Sequence, residues 1–133
     1  MIAATELRLV LVTPETTLLD LMVRSIRFPL FDGQIGVLPG RAPLVGRLGL
    51  GELIYSGAIG EGSYFIDGGF AQIKGQVVTI LTNKAVAVDK INSEAAAQEL
   101  TAANALKPTS PEGFADKQHA VDRARKLLAL GRR

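Results

Sequence analysis

Few side chains in this 133-residue chain have the type and spacing that chemistry requires. It holds one histidine and no cysteine, so neither a Cys–His nucleophile pair nor a thiolate metal site can be built from it. His119, the sole imidazole, lies in DKQHAVDR, a charged run that reads as the solvated face of a helix and not as a base or a ligand. A phosphate cradle of the Walker type needs a glycine followed by Lys-Ser or Lys-Thr, and none occurs. Gly46, Gly49 and Gly51, then Gly57, Gly60 and Gly62, have other spacings and no following helix, and they read as ordinary turns. Asp32, Glu61 and Asp67 fall at turn positions, with no partner in the pattern for acid and base work. The expectation is a chain with no catalytic centre, no metal and no cofactor.

What the sequence specifies most heavily is a shape. The run FPLFDGQIGVLPGRAPL, residues 28–44, places glycines and prolines around short apolar pieces. Asp32-Gly33 is expected to supply the positive φ angles of a tight hairpin turn, and Pro39-Gly40 suits the two central positions of a type II turn. Between them Gln34 to Leu38 is strand-sized, and Pro43 closes the unit where a central ladder bond would be missing. A surface loop fixed this tightly is one whose shape is used.

The elements that must hold it divide in two. Up to about residue 88, short segments rich in Val, Ile, Leu and Phe are separated by glycine or proline every 8 to 12 residues, a β-sandwich pattern. Leu7, Leu9 and Leu11 alternate with Arg8 and Val10 before Pro14, and further strands are expected over 23–28, 52–56, 63–66, 70–73 and 77–81. Lys74-Gly75-Gln76 reads as a hairpin. After Asp89 the composition turns alanine-rich, with no glycine until Gly113. Asn92 or Ser93 caps a first helix with its apolar stripe at Ala95, Ala96, Leu100, Ala103 and Leu106, and Pro108 breaks it. Ser110-Pro111 starts a second, with Phe114, Val121, Ala124, Leu127 and Leu128 at helical spacing. The expected fold class is therefore a mainly β N-terminal sandwich, residues 1–88, followed by a C-terminal α-helical hairpin, residues 89–133. Alanine stripes bury little area each, so at about 25 cal/mol per Å² the hairpin is expected to be the less tightly held and more mobile part.

Length and charge bound the rest. One main domain plus an appendage fits 133 residues. The absence of cysteine and of a basic-then-apolar leader favours a reducing compartment, and no apolar run approaches the roughly 20 residues that span a bilayer. Residues 1–90 carry 8 basic and 8 acidic side chains, which leaves 7 basic against 5 acidic beyond, so the net charge of +2 belongs to the C-terminal segment. That surplus is small and has no interleaved aromatics, which argues against nucleic-acid binding.

The 28–44 run resembles the signature loop of the epsilon subunit of bacterial and chloroplast F-type ATP synthases, and YFIDGGFAQIKGQVVTIL, residues 64–81, looks like that family's second characteristic block. The order of sandwich and hairpin is similar over the full chain. The resemblance implies a non-catalytic central-stalk rotor subunit that couples ion flow through the c-ring to ATP synthesis. In it the sandwich holds the gamma subunit and sits on the c-ring, and the hairpin, when extended, reaches the catalytic alpha and beta subunits and inhibits ATP hydrolysis. It also implies membrane association only through the complex, on the cytoplasmic face of a bacterial inner membrane or the stromal face of a thylakoid.

By position, Asp32, Gly33 and Gln34 with Pro39, Gly40 and Arg41 fall in the c-ring and gamma contact region, acting through shape and polarity. Arg41 stands where the family often has histidine, and Leu30 where it often has glycine. The basic end of the last helix, with Arg123, Arg125 and Lys126, is implied to meet an acidic segment of the beta subunit, a contact that salt weakens. Some members bind ATP on the hairpin through Ile/Leu-Asp-x-x-Arg-Ala. Here the stretch is Ile91-Asn92-Ser93-Glu94-Ala95-Ala96, without the carboxylate and the arginine, and only Arg123 matches a second-helix arginine, so weak or no ATP binding is expected. The competing reading is a free-standing β-sandwich ligand-binding module with a helical tail for dimerisation. Aromatics at 5%, no tryptophan and no sustained heptad seam count against it.

Overall fold

In β1 (Leu7–Val12) the three leucines Leu7, Leu9 and Leu11 are wholly buried, while Arg8 between them is exposed, the period-2 signature of a strand with one face in a core. The computed structural model describes residues 5–132, and the chain divides after Ala87 into two compact units.

The first unit holds ten strands. Continuing from β1 they are β2 (Thr17–Val23), β3 (Ser25–Leu30), β4 (Gly33–Val37), β5 (Leu44–Arg47), β6 (Leu50–Gly57), β7 (Gly60–Asp67), β8 (Phe70–Lys74), β9 (Val77–Leu81) and β10 (Lys84–Ala87). They form two five-stranded sheets, ordered β2-β1-β9-β8-β5 and β10-β7-β6-β3-β4. Only β1 and β9 pair in parallel; the other pairings are antiparallel. The inner faces share one core, with Leu9, Ile73, Val78 and Ile80 from one sheet and Ile26, Phe28, Leu53 and Ile66 from the other. The expected sandwich and the helical hairpin that follows it in sequence both form.

Three strands exceed the sequence expectation. β2, β5 and β10 are paired edge strands whose residues are mostly half-buried or exposed, so their apolar pattern is diluted by partners that bury only one side. The segment expected over 23–28 is divided, Val23 closing β2 and the remainder lying in β3, with Arg24 between them. Arg8 reaches across to Asp20 of the β2 edge through a bidentate pair, Nε to Oδ1 at 2.8 Å and Nη2 to Oδ2 at 2.7 Å. The hydrogen bond from Arg8 holds the Asp20 carboxyl below its usual pKa. Its contribution to stability is therefore present at neutral pH and disappears as acid protonates it.

The turn chemistry is partly as expected. Gly40 has φ +89, the value a type II turn needs after Pro39, and Gly75 has φ +60 in the two-residue connection that closes on the Lys74–Val77 pair. Asp32 departs from expectation: Gly33 alone takes a positive φ, of +143, and no described non-glycine residue does. The two-residue connection between the Leu30 and Gly33 pair is Phe31-Asp32, so the strand begins one residue earlier than Gln34 and glycine takes the strain at its first position. Gly46, Gly51 and Gly62 lie within strands and are not turn residues, whereas Gly57 and Gly60 pair across the Ala58-Ile59 turn, Gly60 with φ +121. Crowding explains Gly51, whose added Cβ would meet the Pro29 ring at 3.2 Å.

The second unit runs from Val88 and begins with a 3-10 turn, Val88–Lys90. Helix α1 (Ser93–Asn104) follows, capped by Asn92, whose side chain accepts from the Ala95 N–H at 3.1 Å. Helix α2 (Pro111–Gly131) starts on Ser110, which accepts from the Gly113 N–H at 3.0 Å, with Pro111 at its first position. The two pack along each other. The buried positions are Ala96 and Ala103 of α1 and Val121, Ala124, Leu127 and Leu130 of α2. Phe114 and Leu106, expected on the apolar stripes, are exposed, because one precedes the first buried turn of α2 and the other lies beyond the end of α1.

The corner between β7 and β8 is the least forgiving backbone in the sandwich. Gly69 has φ +106, and a Cβ there would collide with the Leu81 carbonyl oxygen and lie 2.7 Å from the Thr82 Cα. Gly75, also left-handed, has open space around it. Gly69→Ala should therefore cost well over the roughly 1–3 kcal/mol of conformational strain alone, and Gly75→Ala no more than that. Thermal unfolding of the two variants side by side checks the order; equal midpoints would contradict it.

Candidate functional site

The segment from β3 to β5 carries the chain from the edge of one sheet to the edge of the other, since β4 ends the second sheet and β5 ends the first. Its base is closed by backbone bonds. The Phe31 N–H donates to the Arg47 carbonyl at 2.8 Å, the Gly49 N–H to the Pro29 carbonyl at 3.0 Å, and Leu30 bridges Leu48. Two more bonds, Leu48 N–H to Gly69 carbonyl at 2.8 Å and Gly68 N–H to Gly49 carbonyl at 3.1 Å, anchor that base to the glycine corner. Gly49 admits no side chain there, because a Cβ would sit 2.7 Å from the Leu30 oxygen. The tip is thus presented from a rigid neck.

The expected contact residues sit at the two ends of β4. Asp32 is exposed in the hairpin turn, Gly33 and Gln34 open the strand, and Pro39, Gly40 and Arg41 form the turn beyond it. Arg41 is exposed on a stretch without regular structure. Sequence reasoning passed over their apolar neighbours. Phe31 is 71% exposed and Leu38 is 64% exposed, and the Arg47 guanidinium lies over the Phe31 ring, 5.0 Å from its centroid. On the outer face of the first sheet Val45 and Phe70 are also largely exposed, with Leu81 paired opposite Phe70. Strand parity was the available signal: Val78 and Ile80 face the core, so Leu81 must face out. Exposed apolar side chains thus lie at both ends of β4 and on the outer face of the first sheet, a kind of surface that partners cover.

In the second unit the three basic residues separate. Arg123 is drawn in toward α1, its Nη1 donating to Glu99 Oε2 at 3.0 Å, whereas Arg125 and Lys126 are exposed on α2. A second clasp comes from Lys117, whose Nζ donates to the carbonyls of Asn104 at 3.2 Å and Leu106 at 3.0 Å. The Asn104 oxygen is at the end of α1 and the Leu106 oxygen lies just beyond it, where a cation suits the negative end of the helix dipole. His119 is exposed on α2, and no group of three His, Asp or Glu among the described residues is placed to hold a metal ion.

A ten-stranded sandwich with exposed apolar side chains at one edge, followed by a clasped helical hairpin, is the form of a two-part, mainly β protein suited to binding other chains. Comparison with known proteins identifies its family. Residues 6–88 match the family model described as the ATP synthase Delta/Epsilon chain β-sandwich domain. The ATP synthase epsilon chain of Rhodopirellula baltica is 43% identical over 127 residues, spanning 96% of this chain and 99% of that one. The sodium-ion-specific epsilon chain of Propionigenium modestum is 34% identical, covering 86% and 81%. Among solved structures, a chain in the cryo-EM structure of the Euglena gracilis mitochondrial ATP synthase, with OSCP, F1 and c-ring, superposes with TM-score 0.83 at 28% identity, covering 94% of this chain and 81% of that one. The chain belongs to the epsilon-subunit family of F-type ATP synthases.

Both hairpin clasps are open to test. Glu99→Gln removes an ion pair whose carboxylate is half exposed, and Lys117→Met removes the donor to the α1 carbonyls while keeping the stem. Each should weaken the hairpin by about 0.3–1 kcal/mol. Faster amide exchange in the last turn of α1, with exchange in β1 and β9 unchanged, is the expected signature.

Proposed function

We propose that the protein is a non-catalytic rotor subunit of the ATP synthase central stalk. The sandwich holds the gamma subunit and sits on the c-ring, with Asp32, Gly33, Gln34, Pro39, Gly40 and Arg41 at that contact. The observation that carries this is the similarity to the Rhodopirellula epsilon chain across both units, 127 residues without either part missing. The physical form of the edge supports it. A subunit that transmits torque needs a stiff contact, and the loop neck is closed by backbone bonds that do not depend on side-chain rotamers.

Among the described residues no helix is long and apolar enough to cross a membrane. The subunit reaches the membrane through the c-ring, on the face that carries the catalytic head. Coupling of ion flow to synthesis passes through it mechanically, and it supplies no group to the phosphoryl chemistry.

The hairpin serves regulation, extending from its folded form so that the basic positions Arg123, Arg125 and Lys126 meet an acidic segment of the catalytic subunits and hydrolysis stops. ATP is not the signal that holds it folded. Where other family members place a carboxylate, Asn92 uses its side chain to cap α1, and Arg123 is engaged by Glu99. The internal clasp occupies groups that a nucleotide would need.

Deletion of residues 89–133 should raise the ATPase rate of the reconstituted complex, and an unchanged rate would exclude inhibition by the hairpin under those conditions. Calorimetry of the subunit with Mg-ATP should give no micromolar binding isotherm. Copurification with gamma and c subunits tests the rotor assignment itself.

A further inference from the structure

We propose that Lys117 is the latch of the helical hairpin: its ammonium group ties the end of α1 and the linker behind it to α2, and its release lets the two helices part. This rests on the regulatory role proposed above for the hairpin and names the contact that governs it.

Helix α1 does not finish itself. Its last turn carries no basic residue, and its C-cap, Ala105, keeps right-handed φ and ψ where a left-handed glycine would fold the chain back over the final carbonyls. The Ala105 and Leu106 N–H groups donate to the Thr101 and Ala103 oxygens at 3.1 and 3.3 Å. The Asn104 oxygen takes its donor from the other helix, Lys117 Nζ at 3.2 Å. The positive charge that suits the negative end of α1 is thus supplied by α2.

The same ammonium donates to the Leu106 oxygen at 3.0 Å, so one half-buried charge grips main-chain atoms of both the helix and the linker. The linker, residues 105–110, is also pressed onto the first turn of α2. A Cβ at Gly113 would lie 3.1 Å from the Pro108 Cβ and 3.2 Å from the Ser110 hydroxyl oxygen. Glycine is a poor helix former, and here its missing side chain is what admits the proline. The Glu99–Arg123 pair, by contrast, ties one side chain to one side chain.

The grip at this end matters because α1 has little in reserve. Ala96 and Ala103 are its buried residues, and each offers one methyl group. Ala103 adjoins Asn104, so slack at the helix end reaches one of the two directly. At 12 residues α1 is also of the length at which a helix without tertiary contacts is marginal in water. Release of Lys117 therefore loosens the helix pair as a whole and not the last turn of α1 alone.

Amide exchange in the full-length chain tests the latch. Lys117→Met, which keeps the stem and removes the charge, should speed exchange about twofold to fivefold along both helices, over residues 97–104 of α1 and 121–130 of α2. Lys117→Arg, which keeps the charge and the donors, should stay nearer the parent than the methionine variant, with β1 and β9 unchanged in both. Acceleration confined to the last turn of α1 would mark a local cap only and overturn the proposal. So would no acceleration, or an arginine variant that behaves like the methionine one. In the reconstituted complex Lys117→Met should lower the ATPase rate, by about fivefold at most, where deletion of residues 89–133 raises it. An unchanged or raised rate with Lys117→Met beside that rise also overturns the latch. If the deletion itself leaves the rate unchanged, the regulatory role fails, and amide exchange alone decides whether Lys117 holds the hairpin shut.

Discussion

The neck where residues 29–31 meet residues 47–49 is the constraint on which the rest of the docking edge depends. Two backbone bonds and one bridge close it, and two further bonds tie it to the glycine corner at 68–69. Backbone bonds of this kind contribute only about 0.5–1.5 kcal/mol each to stability, but a buried donor left without its partner costs more, so they act together or not at all. Gly49 and Gly69 permit the approach, because side chains at either position would strike backbone atoms. The same chain thereby crosses from one sheet to the other without losing its grip on either. The neck thereby joins β4 and its flanking turns to the shared core.

The second unit is built on a different balance. Burying a leucine or valine contributes about 1.5–3 kcal/mol and a methyl group about 0.8. α2 supplies Val121, Leu127 and Leu130, but α1 supplies only the methyl groups of Ala96 and Ala103 as fully buried apolar groups. Polar ties from Lys117 and Arg123 therefore carry a larger share of the pairing than polar ties carry in the sandwich. That share is sensitive to salt in a way the sandwich core is not.

How much of this the sequence disclosed follows from the physics of each element. Leu7, Leu9 and Leu11, the Pro39-Gly40 turn, the Gly75 hairpin and the Asn92 and Ser110 caps were legible because each is a local preference with a local cause. The strands β2, β5 and β10 were not, since each is held by one neighbouring strand and is mostly half-buried or exposed, which dilutes its apolar alternation. The crowded glycines Gly49, Gly51 and Gly62 looked like turns because a close approach leaves no trace in the flanking residues. Asp32 shows the opposite error, in which a familiar dipeptide placed the strain one residue too early. At the site, the polar and turn residues were visible in the motif, whereas Phe31 and Leu38 fall just outside β4, where no periodicity assigns a face, and only Phe70 is turned outward by the parity of its strand.

Inside β4 there is neither a charge nor a proline, so its outward backbone groups lie open along one side of the sheet. Such an edge is where another extended chain adds most readily, and self-association of the isolated chain is expected to begin there and not at the core.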